Sequence, residues 1–124
     1  MNRLSHKYAL ITGGTSGIGL ETAKQFLAEG ATVAITGRNT AALQAAYFEL
    51  GERVLLIKSD ASHISDQYQL AAHLTEVWPQ LDIVYINAGD VTHHPIEKWD
   101  ETSFERVLST NLKGPFFLLQ SLLP

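Results

Sequence analysis

Cysteine is absent from the 124 residues, which excludes disulfides and thiolate metal sites. Long hydrophobic runs are missing too. The longest strongly apolar stretch, Pro115 to Leu119, is far too short to span a bilayer. No apolar segment behind a basic patch opens the chain, so no signal peptide is expected, and the cytoplasm is the expected compartment. Positive charge is scarce: nine lysines and arginines stand against thirteen aspartates and glutamates, a net charge of −4 with histidine neutral. Such a chain is not expected to carry a general nucleic-acid or anionic-membrane surface. Any anion it holds must be held locally, by backbone N–H groups or a single cation. The adjacent pair His93-His94 points in two directions with no third ligand near in sequence, so no metal is expected. Repeats, low-complexity tracts and linkers are lacking as well, and the length suits one domain spanning residues 1–124.

The residues that are present alternate in character. Four β-rich runs occur, "KYALIT" (7–12), "ATVAIT" (31–36), "RVLLIK" (53–58) and "LDIVYIN" (81–87). Their cores are apolar rather than alternating, as expected of strands buried on both faces. Helical patterns separate them. From Gly17 to Glu29, Ile18, Thr22, Phe26 and Leu27 fall on one side, with Gly30 at the C′ position. From Thr40 to Leu50, Leu43, Ala46, Tyr47 and Leu50 keep helical spacing before Gly51. Ser65 is expected to cap a helix carrying Leu70, Leu74, Val77 and Trp78, which Pro79 ends. Asp100 is expected to cap the last one, through Phe104, Val107, Leu108, Leu112 and Leu119. This alternation predicts βαβ units and a parallel, doubly wound α/β sheet of Rossmann type.

Between the first strand and first helix lies "TGGTSGIG", Thr12 to Gly19. A glycine triplet carries little weight alone, but this one has a strand before it and a helix after it. Gly13 allows the tight turn out of the strand. Gly17 removes a Cβ where a pyrophosphate could approach the backbone, and Gly19 lets the helix pack close. The helix N-terminus then offers unpaired N–H groups and a positive dipole end to phosphates. The bland alternative is a glycine-rich turn that only connects two elements.

The glycines fall as G-x-x-x-G-x-G. With Thr12 in front, the stretch resembles the T-G-x-x-x-G-[IL]-G fingerprint of the short-chain dehydrogenase/reductase family. Asp60-Ala61 after the third strand, Asn87-Ala88-Gly89 ending the fourth, and Asn111 in the next helix match the family in order. One departure is visible: the family usually writes N-N-A-G, and Ile86 takes the first Asn position, which should cost a structural hydrogen bond more than any chemistry. The resemblance implies a sheet order of 3-2-1-4 for these strands, with strand 4 left as an apolar edge, and hence a homo-oligomer or a trimmed piece of a longer protein. It places Gly13, Thr15, Ser16, Gly17, Ile18 and Gly19 at the cofactor phosphates. It places Asp60 and Ala61 at the adenine, and Asn87, Ala88 and Gly89 at the nicotinamide ribose. Asp60 could equally cap its own loop.

A dinucleotide fold preferring NAD usually ends its second strand with an acid. Here Gly37 stands in that place and Arg38 comes next. A guanidinium can grip a phosphate through two charge-assisted hydrogen bonds, and Ser16 could add another. NADP(H) is therefore expected over NAD(H); the alternative is a solvated surface arginine.

Asn111 falls on the apolar stripe of its helix, where a buried amide must be bonded. Pro115, four residues on, has no N–H for the Asn111 carbonyl, so the helix is expected to bend there and free that carbonyl. In the family this position supports a water in a proton relay, which makes Asn111 the catalytic candidate; a core Asn that bonds locally is the alternative. The family also needs a later Ser and a Y-x-x-x-K pair. None of Tyr8, Tyr47, Tyr68 and Tyr85 has a lysine four residues on. The resemblance thus implies the cofactor-binding half of an NADP(H)-dependent oxidoreductase acting on a small carbonyl or alcohol, without turnover of its own. A non-catalytic nucleotide-binding or sensing module, and a scaffold using the apolar last helix, are the other readings.

Overall fold

The structure is a computed structural model that describes residues 2–123. Along them run β1 (Tyr8–Ile11), α1 (Gly17–Ala28), β2 (Thr32–Gly37), α2 (Thr40–Leu50), β3 (Leu55–Lys58), α3 (Ile64–Val77) and β4 (Ile83–Tyr85). Next come a 3-10 turn (Ile96–Lys98), α4 (Glu101–Leu108), a π-helical turn (Ser109–Lys113) and α5 (Gly114–Leu122). The strands form one parallel sheet in the order β3-β2-β1-β4. That is the expected order, with β4 at an edge.

Successive residues of a strand face opposite sides of a sheet, and the two cores obey this rule. Ile11, Val33 and Ile35 pack on one face with Ala23 and Leu27 of α1 and Leu43 and Ala46 of α2. Leu10 and Ala34 pack on the other with Leu70 and Leu74 of α3 and Leu118 of α5. Helices on both faces explain why the strand cores lack a polar alternation. Ile86, the departure from the family's Asn, lies against this second cluster.

Four expectations are corrected. β1, β3 and β4 are shorter than their apolar runs, and at the ends of β1 and β4 Thr12 and Asn87 leave the ladder to hold each other's loops. In α1 the buried row is Gly19, Ala23 and Leu27, while Ile18 is 70% exposed. Gly19 lies so close to the Gly13 carbonyl and the Asn87 side chain that the small residues must face inward. Ser65 does not cap α3. His63 stands at the N-cap without a side-chain cap bond, and Asp66 and Gln67 tie the turn instead, through Asp66 Oδ2 to the Asp60 N–H and Gln67 Nε2 to the Asp60 carbonyl. Val77, expected inside, is exposed.

The last expected helix is three segments. Asp100 does cap α4, its carboxylate accepting the Ser103 N–H at 2.7 Å. The helix then widens over Ser109–Lys113, where the Gly114 N–H bonds the Ser109 carbonyl, before α5 resumes. Phe104, Leu108, Leu112 and Leu119, expected on a buried stripe, are exposed; Gly114 and Leu118 are the buried positions of α5. A Cβ at Gly114 would overlap the Ala61 carbonyl oxygen, so glycine sets how closely α5 meets the loop after β3. Among the described residues no helix is long and apolar enough to cross a membrane.

Candidate functional site

A cleft of about 540 Å³ opens at the carboxyl ends of the strands, the place where open α/β sheets hold ligands. Its floor is the turn from β1 to α1. Gly13 has φ +66°, and a Cβ there would sit 2.8 Å from Ala88 Cα. Gly17 has φ +57°, a backbone that side chains rarely adopt, with open space where its Cβ would be. The first bond of α1 runs from Leu20 N–H to the Ser16 carbonyl, so the N–H groups just before it have no helical partner. Ser16 stands at the N-cap without spending its hydroxyl on the helix.

Two threonines to which the sequence alone assigns no role hold this turn. Thr12 Oγ1 accepts from the N–H groups of Asn87 (3.0 Å) and Ala88 (3.1 Å). Thr36 Oγ1 accepts from Gly13 N–H, and the Thr36 carbonyl from Gly14 N–H. Asn87 Nδ2 donates back to the Gly13 carbonyl at 2.9 Å. The ends of β1, β2 and β4 are thereby locked around one turn. Both threonines close a strand run in the sequence, and Thr12 also opens the glycine fingerprint.

On the β2 side, Gly37 and Arg38 line the cleft with Thr15 and Ser16. A Cβ at Gly37 would lie 2.7 Å from Thr15 Cγ2, so an acidic side chain there would crowd Thr15. Arg38 is exposed and makes no ion pair or hydrogen bond among the described residues. Asp60 and Ala61 line the cleft from the end of β3. The Asp60 carboxylate takes its loop-capping alternative here, with Oδ1 accepting from Ser62 N–H (2.9 Å) and Ser62 hydroxyl (2.7 Å). Partial burial pushes its pKa up, but the Ser62 hydrogen bonds, His63 and Arg38 outweigh that and leave it lowered.

Asn87, Ala88, Gly89 and Asp90 form the opposite wall with Arg106 and Thr110. Asn111 was expected on a buried stripe; it is exposed, and its amide grips the loop instead. Its Oδ1 accepts from Asp90 N–H (2.7 Å) and its Nδ2 donates to the Asp90 carbonyl (2.9 Å). Asn111 lies within the π turn, whose extra residue breaks the 3.6 period for the positions that follow. "IEKWDETSFER" reads in sequence as a solvated helix start, yet Arg106 pairs with Asp90 at 2.7 Å. Of the expected site residues, Gly13, Thr15, Ser16, Arg38, Asp60, Ala61, Asn87, Ala88 and Gly89 share the cleft. Gly17 and Gly19 shape its floor, and Ile18 points away into solvent. His93 and His94 are exposed, and His94 stacks edge-on against Trp99. Among the described residues no three potential ligands cluster for a metal.

A parallel sheet in this order, with a glycine turn opening a helix beneath a strand-end cleft, defines a dinucleotide-binding α/β domain. Residues 7–124 match the family model for short chain dehydrogenase. The chain belongs to the short-chain dehydrogenase/reductase family, whose members bind NAD(P) and are oxidoreductases. It is 38% identical over its whole length to an oxidoreductase, asL5, of Sarocladium schorii, covering 50% of that relative. It is 35% identical over 94% of its length to an NADP-dependent (R)-specific alcohol dehydrogenase of Lentilactobacillus kefiri, covering 47% of that protein. The structure of a Pseudomonas aeruginosa RhlG/NADP active-site complex superimposes with a TM-score of 0.89 at 33% identity, over 98% of this chain and 48% of that one. The chain spans about half the length of the curated relatives it matches.

Proposed function

We propose that these residues are the cofactor-binding part of an NADP(H)-dependent oxidoreductase that reduces a small carbonyl compound or oxidises the matching alcohol. The residues fit the cofactor. Gly13 and Gly19 pack too closely on Ala88 and on the Gly13 carbonyl to carry a Cβ, Gly17 leaves open space beside its backbone, and the amides at the start of α1 suit a diphosphate. When bound, the nicotinamide supplies or takes the hydride. The chain's own residues bind and orient it. The α1 amides and Ser16 hold the phosphates, Asp60 and Ala61 border the adenine, and Asn87 to Gly89 seat the nicotinamide ribose. Asn111, bonded to the loop beside that seat, is proposed to serve the proton path of the complete site.

The observation that carries the NADP(H) preference is Arg38. It is a cation at the cleft with no ion pair or hydrogen bond among the described residues, beside Gly37, which stands where an NAD-preferring fold usually carries an acid. A guanidinium so placed suits a 2′-phosphate. The NADP named for one relative and one solved neighbour supports this reading. Arg38→Ala should weaken NADPH binding by about 1.5–3 kcal/mol, the scale of a charged hydrogen bond, and barely change NADH binding. Equal losses for both in a fluorescence titration would reject the preference. The 124 residues alone are expected to bind without turnover, lacking a Y-x-x-x-K pair. The exposed Phe104, Leu112 and Phe116 and the open edge of β4 support a homo-oligomer. Sedimentation as a monomer would count against that.

A further inference from the structure

The residue after Asn87-Ala88-Gly89 is an acid. Asp90 lines the same cleft as the glycine turn and Arg38, so an anion is built into the wall of a site that takes an anionic ligand. Both of its carboxylate oxygens are engaged. Oδ1 accepts from the Thr92 N–H at 2.9 Å and from the Thr92 hydroxyl, a turn that shapes residues 90–92. Oδ2 accepts from Arg106 Nε at 2.7 Å, and Arg106 Nη2 donates on to Thr92 Oγ1 at 2.8 Å. The Thr92 hydroxyl first, and then Arg106, hold the Asp90 pKa down at about 2, so the group stays ionised at neutral pH. The strand order puts Arg38 and Asp60 on one side of β1 and Asp90 on the other.

We propose that Arg106 is a positioning residue for the nicotinamide half of the cofactor: it supplies the counter-charge that makes Asp90 compatible with an anionic ligand and fixes the loop carrying it. The inference rests on the dinucleotide reading above. Left unpaired, Asp90 would repel the ligand inside a partly enclosed cleft, where solvent screens less than in bulk. Arg106→Gln removes the cation and leaves the anion, and should weaken NADPH binding about five- to tenfold. Asp90→Asn removes the anion and keeps an amide oxygen for the Thr92 turn. Its NADPH affinity should stay within about threefold of wild type, or rise. The double variant should recover most of what Arg106→Gln loses, and Arg106→Lys, which keeps the charge, should lose little.

The test titrates the full chain and these variants with NADPH, monitored by nicotinamide fluorescence, and in parallel with 2′,5′-ADP, which lacks the nicotinamide half. Binding of 2′,5′-ADP should be equal in all of them. A wild type that binds neither ligand overturns the cofactor reading and this inference with it. A wild type that binds both, with Arg106→Gln unchanged or the double variant no tighter than Arg106→Gln, overturns the role of Arg106 alone. If Arg106→Gln also loses 2′,5′-ADP, it has lost its fold, and Asp90→Asn decides. NADPH affinity held or raised supports the proposal, and a loss beyond about threefold overturns it.

Discussion

Replacing Thr12 with valine asks how much of the glycine turn hangs on one hydroxyl. Thr12 is 4% exposed, and its Oγ1 is the acceptor for two backbone N–H groups, those of Asn87 and Ala88. Its own N–H bonds the Tyr85 carbonyl, which valine would keep. Valine matches the shape of threonine but offers no lone pair. Two donors at the end of β4 would then lose their acceptor together. An unsatisfied buried donor costs about 1–3 kcal/mol. Asn87 and Ala88 are half-buried, so water offsets part of that and the lower half of the range applies to each. Thr12→Val is therefore expected to destabilise the domain by about 2–4 kcal/mol, a large share of the about 5–15 kcal/mol typical of a domain. Equilibrium urea unfolding monitored by circular dichroism measures it, with the slope unchanged. Thr12→Ser keeps the acceptor and loses one methyl group, so it should cost about 1 kcal/mol or less. A Thr12→Val protein within about 0.5 kcal/mol of wild type, or a serine variant as damaged as the valine, refutes the reasoning.

Gly114→Ala should cost more than about 2 kcal/mol, because its methyl would overlap the Ala61 carbonyl and α5 would have to move. Gly51→Ala, at φ +92° and ψ 176° with open space around it, should cost backbone strain alone, about 1–3 kcal/mol. A Gly114→Ala urea midpoint equal to that of wild type would contradict the close approach of α5. Asn39 Oδ1 accepts the Ala42 N–H at 3.0 Å, so Asn39→Ala should remove about 1 kcal/mol of cap stability, read in the same assay. Acid should act through Glu29 and Asp90, both held near pKa 2 from ordinary values of 4.5 and 3.8. The Arg3 guanidinium is the first cause for Glu29 and the Thr92 hydroxyl for Asp90. Folded values below unfolded ones mean stability that is full above the unfolded pKa and lost as pH falls through the folded one. The melting temperature should therefore drop between about pH 4.5 and 2, and Glu29→Gln should flatten the drop; an unchanged slope would count against the Arg3 pairing.

How far the sequence could be read depends on the range over which each signal acts. Strand identity rests on apolar runs and strand–helix alternation, which are local and survive folding, whereas the strand order follows from the family resemblance. The faces of α1 could not be read from periodicity, because the decisive contact is Gly19 against Gly13 and Asn87, and the last of these lies far along the chain. Asn111 lies inside a π turn, across which a 3.6-residue period does not continue, and Phe104 and Leu108 before that turn are exposed as well, so the apolar stripe is not covered among the described residues. Nothing local announces that turn except Pro115, whose missing N–H did mark where the helix must change. The Asp90–Arg106 pair joins a loop to a helix through side chains that helical spacing cannot relate.

The chain's net charge of −4 and its proposed anionic ligand look opposed, and the cleft resolves this residue by residue. Each carboxylate on its wall is occupied. Asp60 is bonded to Ser62, and Asp90 to Thr92 and Arg106. The groups left uncommitted are donors: the amides opening α1, the Ser16 hydroxyl and the Arg38 guanidinium. A ligand entering meets unspent donors and satisfied acceptors, whatever the total charge of the surface behind them. Over distances beyond about 8–10 Å, salt screens that remote surface charge, while the uncommitted donors act at contact. Selectivity for a phosphate-bearing ligand then depends on which partners are already taken, and it would be lost by freeing one acid as surely as by removing one cation.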